Sequence, residues 1–341
     1  MSTILVLGGT RFFGRELVWR LSELGHEVTV LTRGQTQTDL PPSVRWLRGD
    51  RRDEASLREA LGTRSWDAVI DNIGFTRQDA EIALRLFDGR IGRFLFTSTA
   101  AVYYCVKDLV CPFAESDTDV FPLREEARTD PRFSYGFGKL EAEQTLMAAH
   151  RDRGFPVTIL RLPIVIGPRD HTLRAFSYWI RIKDGAPLIL PDGGRLCWRF
   201  ISSGDVVRAF VAVLEFPQAI GEVYNFAQRE IVSLRDWVKL SAEILGRSVN
   251  IVNIPSEWLS AQGINMEFSP YSTPRSWILD IGKAERDLGW ASTPWREWME
   301  ATIQWYEREY HGPAPENYFR RGDELALVNR WQQLTGGGDG G

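Results

Sequence analysis

The stretch Ile4-Leu5-Val6-Leu7-Gly8-Gly9-Thr10-Arg11-Phe12-Phe13-Gly14 decides the fold. Four consecutive apolar residues read as a strand buried on both faces, and an amphipathic pattern from about Phe13 to Leu24 reads as the helix that follows. A glycine-rich turn between a first strand and a first helix is where a dinucleotide's pyrophosphate meets backbone N–H groups and the positive end of the helix dipole. Gly8 permits the tight turn, and Gly14 lets helix and strand pack closely. Arg11 stands where the usual pattern has its middle glycine. Gly8, Thr10, Arg11, Phe12, Phe13 and Gly14 are therefore the first cofactor-binding candidates, although a purely structural strand-to-helix turn also uses glycines.

The rest of the chain supports the cofactor reading. Strand-like runs at His26–Leu31, Trp66–Asp71, Arg93–Thr97 and Val157–Leu162 alternate with helical patterns, the last of these helices spanning Tyr135–Arg153. Such alternation predicts right-handed βαβ units and an α/β fold, a Rossmann-type doubly wound parallel sheet. A helix near Val206–Leu214 and a strand near Glu222–Phe226 are expected to rejoin that sheet. The expected division is a nucleotide-binding domain of residues 1–167 with about 199–227, and a smaller C-terminal α/β substrate lobe of 168–198 with about 228–312. A C-terminal extension, 313–335, and a low-complexity disordered tail, 336–341, complete the division.

The end of the second strand bears on cofactor choice. A carboxylate there would bond the adenosine ribose and repel a 2′-phosphate. This chain has Thr32 followed by Arg33, with Arg11 within reach of the same region. Guanidinium groups pair well with phosphate, so NADP is favoured over NAD, unless both arginines are simply solvated. Farther on, Asp50 in Gly49-Asp50-Arg51 either accepts a bond from the adenine amino group or caps a helix.

Chemistry concentrates in Ser134-Tyr135-Gly136-Phe137-Gly138-Lys139. The i, i+4 spacing puts Tyr135 and Lys139 on one helix face. A phenol titrates near pH 10, so a neighbouring ammonium is needed before it can exchange protons at neutral pH. Only five of the 41 basic residues are lysines, which makes a chance Tyr-x-x-x-Lys match improbable. Upstream, Phe94-Leu95-Phe96-Thr97-Ser98-Thr99 is an apolar strand ending in hydroxyls, at the sheet end where α/β ligands bind. A plain Thr/Ser turn is the alternative.

Composition sets limits. With 341 residues, 43% hydrophobic and 25% charged, the chain has ordinary globular values. The net charge of −4 gives no reason to expect nucleic acid as a partner. Cys105, Cys111 and Cys197 make neither a disulfide framework nor a metal-ligand pattern. No N-terminal signal peptide or membrane-length apolar run is evident, and a reducing, cytoplasmic setting is expected.

The order GGTRFFG, Gly49-Asp50, FLFTSTAAVY, YGFGK, Leu160–Pro168 and Asp280–Trp290 resembles the extended short-chain dehydrogenase/reductase family, the NAD-dependent epimerases and dehydratases, over about residues 3–310. The variant first loop and YGFGKLEAE are similar to the branch that includes chloroplast stem-loop-binding proteins. The resemblance implies Thr99, Tyr135 and Lys139 as catalytic, with Lys139 also on the nicotinamide ribose. It places Arg51, Asn72, Ile73, Gly74 and Pro163 beside the cofactor. Ala100 and Ala101 stand where dehydratases carry Asp and Glu, which argues against dehydration. Ala101 also replaces the Cys of members that invert carbons next to a ketone.

Related nucleotide-sugar enzymes carry Asn at the place of Ile164 and Arg at the place of Trp198. Arg199 is one residue late, on the opposite face of a strand. Arg199 and the loop residue His171 are the remaining substrate-binding candidates, with Thr99. Trp258, Trp277, Trp290, Trp295, Trp298 and Trp305 are read chiefly as core. The expected function is an NAD(P)-dependent sugar epimerase or carbonyl reductase on a sugar-like small molecule, with a homodimer as the expected assembly and no membrane partner. The alternative is a non-catalytic NAD(P)-binding or RNA-binding protein.

Overall fold

The computed structural model describes residues 1–36, 38–263 and 266–336. Two compact units share the chain. The first comprises Met1–Arg169, Phe200–Arg229 and Leu279–Thr293, and the second Asp170–Arg199, Glu230–Ile278 and Pro294–Gly341.

The first unit is built on a seven-stranded parallel sheet: β1 (Thr3–Leu7), β2 (Glu27–Thr32), β3 (Arg45–Arg48), β4 (Trp66–Asp71), β5 (Ile91–Thr99), β6 (Val157–Leu162) and β7 (Val223–Asn225). Across the sheet the order is β7-β6-β5-β4-β1-β2-β3. The apolar run of β1 is explained by burial on both sides. Ile4 and Val6 join a core with Leu17, Val18 and Phe210, while Leu5 and Leu7 join a second core with Leu57, Phe94 and Leu146. Helices α1 (Phe12–Glu23) and α5 (Ser203–Glu215) supply the first core. Helices α2 (Glu54–Leu61), α3 (Arg77–Phe87) and α4 (Ser134–Arg153) supply the second. Leu7 pairs with Leu31 on one side and with Asp71 on the other, so these three strands end at one level. Strand order reverses between β1 and β4, which opens the crevice where such sheets bind ligands.

Two expected boundaries need correction. Residues 279–293 do not go with the second lobe. Asn225 at the end of β7 donates to the Asp280 carbonyl (3.1 Å), Trp290 lies in the α1/α5 core, and buried Asp205 accepts from the Thr293 N–H (3.0 Å). Nor is 313–335 a separate extension. Helix Arg321–Gly336 belongs to the second unit, where Glu324 forms a buried pair with Arg181 and Arg321 bonds Asp184 (2.8 Å). Gly336 closes that helix, and the rest of the expected tail, 337–341, lies outside the described residues.

The second unit contains helices Arg174–Lys183, Leu234–Ile244 and Trp295–Glu309, with Leu188–Pro191 paired in parallel to Ile251–Ile254. Its tryptophans are largely structural: Trp277 and Trp298 are buried, and Trp258 packs on Trp331. Among the described residues, no helix is long and apolar enough to cross a membrane.

Candidate active site

The turn after β1 has the geometry a pyrophosphate needs. Gly8 has φ 85°, which L-residues rarely adopt, and α1 begins at Phe12 with no acidic residue in its first turn. A Cβ at Gly14 would stand 2.5 Å from the Gly8 carbonyl oxygen, so only glycine lets α1 approach β1 this closely. Phe12 also has positive φ, at 46°, and its ring packs edge-on against Phe13. Thr10 is buried and Arg11 exposed. Half-buried Asn72 accepts at Oδ1 from the Thr97 hydroxyl (2.6 Å), while its buried Nδ2 has no hydrogen-bond partner among the described residues. A backbone cradle that a Cβ would fill, with an unspent amide beside it, fits a dinucleotide.

A cavity of about 410 Å³ opens from this turn. Gly8, Thr10, Arg11, Arg33, Asp50 and Ile73 contribute to its lining. Thr32, at the end of β2, accepts from the Trp46 indole N–H (2.9 Å), and Arg11 donates to the Thr36 hydroxyl (3.1 Å). Arg33 is exposed at the rim. Asp50 is not the cap of α2. That role belongs to Asp53, whose carboxylate accepts from the Ala55 and Ser56 N–H groups. Asp50 accepts instead from the Arg52 N–H (3.0 Å), the main reason its carboxyl is held below the usual range.

Arg51 also lines the cavity, but its guanidinium points inward. It donates to Asp71 (2.7 Å) and to the Asp79 carbonyl oxygen (2.8 Å), all three residues being buried. Asp79 in turn forms a capping box with Thr76 and accepts from the Phe75 N–H (2.8 Å). The Arg51–Asp71–Asp79 network thereby fixes the turn that presents Phe75. Sequence reasoning missed Phe75, Asp71 and Asp79. The Thr76-x-x-Asp79 spacing was the legible signal for the turn.

Tyr135 and Lys139 lie one turn apart on α4. Gly136 and Gly138 let that helix come close to its neighbours: a Cβ would meet the Ala101 carbonyl oxygen at 2.3 Å and the Phe75 carbonyl oxygen at 2.7 Å respectively. Tyr135 is 51% exposed while Lys139 is buried. The Lys139 ammonium donates to the Thr97 carbonyl oxygen (2.6 Å) and lies 4.7 Å and 4.8 Å from the Phe75 and Phe96 ring centroids. Burial pulls its pKa down to about 8, against the opposing pull of Asp71, Glu143 and Asp79. The Phe75 ring also packs on Tyr135, with centroids 6.4 Å apart. Half-buried Thr99 ends β5, and its hydroxyl accepts from the Ala101 N–H (3.1 Å), leaving its own proton to donate. Beneath it, Ser98 bonds Glu143, which pairs with Arg161 (2.6 Å) in a fully buried bridge.

Gly74 backs the ion pair: a Cβ there would lie 2.8 Å from the Asp71 carboxylate. Buried Pro163 follows β6. The first unit therefore gathers Thr99, Tyr135, Lys139, Asn72, Ile73 and Gly74 around the crevice. His171 and Arg199 lie in the second unit, His171 exposed on a turn and Arg199 half-buried with its N–H on the Trp277 carbonyl oxygen (3.2 Å).

A doubly wound sheet with a glycine-turn cradle and a Tyr-Lys helix face at its carboxyl edge defines an NAD(P)-binding enzyme of the extended short-chain dehydrogenase/reductase type. The chain belongs to the NAD dependent epimerase/dehydratase family, whose model matches residues 4–227. It is 27% identical over 287 residues to 2′-dehydrokanamycin reductase of Streptomyces kanamyceticus, covering 83% of this chain and 78% of that one. It is also 27% identical over 256 residues to chloroplast stem-loop binding protein of 41 kDa b of Arabidopsis thaliana, covering 71% of this chain and 63% of that protein. Among solved structures, UDP-glucose 4-epimerase of Thermotoga maritima superposes with TM-score 0.71 at 22% identity, over 90% of this chain and 99% of that one. That likeness concerns the fold.

Proposed function

We propose that this enzyme is an NADP-preferring carbonyl reductase acting on a ring ketone of a sugar-like substrate. The observation that carries the reading is the Lys139 ammonium, buried on the Thr97 carbonyl one helical turn from exposed Tyr135. In the proposed reaction the nicotinamide supplies the hydride when bound. Tyr135 gives its phenolic proton to the substrate oxygen, and the ammonium of Lys139 stabilises the phenolate left behind. Thr99 donates a hydrogen bond to the same oxygen. The cradle of Gly8 and Gly14, with Asn72, would hold the cofactor, and Arg33 and Arg11 at the rim suit a 2′-phosphate. The similarity to 2′-dehydrokanamycin reductase supports reduction of a sugar-type ketone. The cytoplasmic setting goes with three free cysteines.

Epimerisation is the second reading, favoured by the family's name. The two part on stoichiometry, because a reductase consumes one NADPH per product whereas an epimerase returns the hydride and consumes none. Mass spectrometry of the purified protein should find little retained cofactor, and NADPH absorbance should decay with a sugar ketone. Tightly retained NAD with isomerised sugar and no net NADPH loss would overturn the reductase reading.

A further inference from the structure

The second unit contains a cavity of its own, about 400 Å³, bounded by the Leu188–Pro191 strand, its following turn and residues 271–274. That volume suits one or two sugar rings. Its walls are aromatic and hydroxylic: Trp198 and Tyr271 form buried faces, while Ser260 and Ser272 contribute alcohols. Among the described residues, Asp192 and Arg195 are the only charged ones in the lining. Behind the wall, Arg235 spends its Nε on the Gly193 carbonyl (2.8 Å).

The Ser272 hydroxyl is the outer end of a relay. It bonds Ser269 (2.9 Å), which bonds the Tyr178 phenol (2.9 Å), which accepts the Tyr271 N–H (3.1 Å). Ser269 and Tyr178 are each 1% exposed. Because Tyr178 accepts a backbone proton, its own proton is available to Ser269, that of Ser269 to Ser272, and that of Ser272 to an occupant of the cavity. A buried polar chain is costly unless satisfied, and its outward end presents a positioned donor that can equally accept.

We infer that this cavity is a saccharide subsite for a hydroxyl-rich ring without a phosphate. A nucleoside diphosphate brings at least two negative charges, and burying them needs compensating cations. Here the single guanidinium of Arg195 is offset by the carboxylate of Asp192. A neutral polyol needs hydroxyl partners and apolar walls for its C–H faces, and an amino substituent would be tolerated beside Asp192. The inference deepens the proposed reductase reading by naming its substrate class, but stands on the second unit alone.

The test is saturation-transfer NMR on the full chain with NADP present, using methyl α-glucoside, glucosamine, UDP and UDP-glucose as probes. Expected are signals from both free sugars that UDP does not displace. Ser272→Ala should weaken binding about fivefold, the effect of one hydrogen bond. Ser260→Trp, which fills the cavity, should abolish the signals while melting temperature and NADP affinity hold. Arg195→Glu should leave both sugars bound. Firm UDP-glucose binding displaced by UDP and lost in Arg195→Glu would overturn the inference, as would sugar signals indifferent to Ser260→Trp, or none at all. Because the readout is sugar binding, it fails separately from the hydride-transfer proposal, which NADPH consumption reads.

Discussion

The Nζ of Lys139 lies 4.7 Å from the centre of the Phe75 ring, and the same ring packs on Tyr135. One aromatic side chain thus touches both members of the proposed acid–base pair, and Asp79 holds its backbone in place. Phe75→Leu removes the ring while keeping an apolar side chain. Turnover should fall about tenfold, the scale of a partly desolvated cation–π contact, with the melting temperature little changed. Unaltered turnover would show that the contact has no bearing on the reaction.

Removing the phenol oxygen tests the proton-transfer assignment directly. Tyr135→Phe should keep cofactor affinity and lose roughly 10²–10⁴-fold in turnover. Lys139→Met should lose both turnover and affinity, and Thr99→Ala should lose less than Tyr135→Phe. Steady-state kinetics with a sugar ketone, alongside fluorescence titration of NADPH, separates the three. Normal turnover in Tyr135→Phe means that the base lies elsewhere.

The pH profile should have a falling limb set by Lys139. Its ammonium loses its proton near pH 8, so stabilisation of the Tyr135 phenolate fades as pH rises through that value. Asp71 raises the Lys139 pKa, so Asp71→Asn should move the limb to lower pH. Folding carries the opposite sign. Between about pH 8 and 10.4 the unfolded lysine holds more proton than the native one, so this group alone makes stability rise with pH there. Turnover against pH for wild type and Asp71→Asn, each checked by thermal melt, reads the shift. Superimposable limbs would remove Lys139 as their origin.

Cofactor preference should depend on Arg33, exposed at the rim of the first-unit cavity. Calorimetric titration should show NADPH binding more tightly than NADH, with the difference shrinking several-fold in Arg33→Ala. Tighter NADH binding by the wild type would contradict the preference.

The Glu143–Arg161 bridge is buried on both sides. Glu143→Ala leaves the guanidinium uncompensated and should cost about 3–5 kcal/mol of stability in urea unfolding. A cost below about 1 kcal/mol would mean that Tyr103, Thr118 and the Glu115 carbonyl, which also bond Arg161, suffice to hold the group.

Local signals account for what the sequence reveals. The Ile4–Leu7 run, the Gly8–Gly14 turn and the Tyr135/Lys139 spacing each reflect geometry within about one element, and periodicity displays it directly. Arg51, Asp71 and Asp79 meet because β4 and two loops converge, and nothing in their own neighbourhoods announces a buried network. Read locally, Asp50 and Asp53 are equally plausible caps, and the backbone conformation selects Asp53. The placement of 279–293 with the first unit rests on contacts such as Trp290 to the Ala227 carbonyl, which no local pattern encodes.

The alternation of segments between the two units has a consequence for how the chain is made. The first unit resumes at Phe200 and again at Leu279, and ends only at Thr293. During synthesis β6 is complete at Leu162, yet its neighbour β7 emerges some 60 residues later, and the cover supplied by Trp290 later still. A nascent chain must therefore hold an open sheet edge until most of its length has left the ribosome, so the unpaired side of β6 is the place where a chaperone would be needed first.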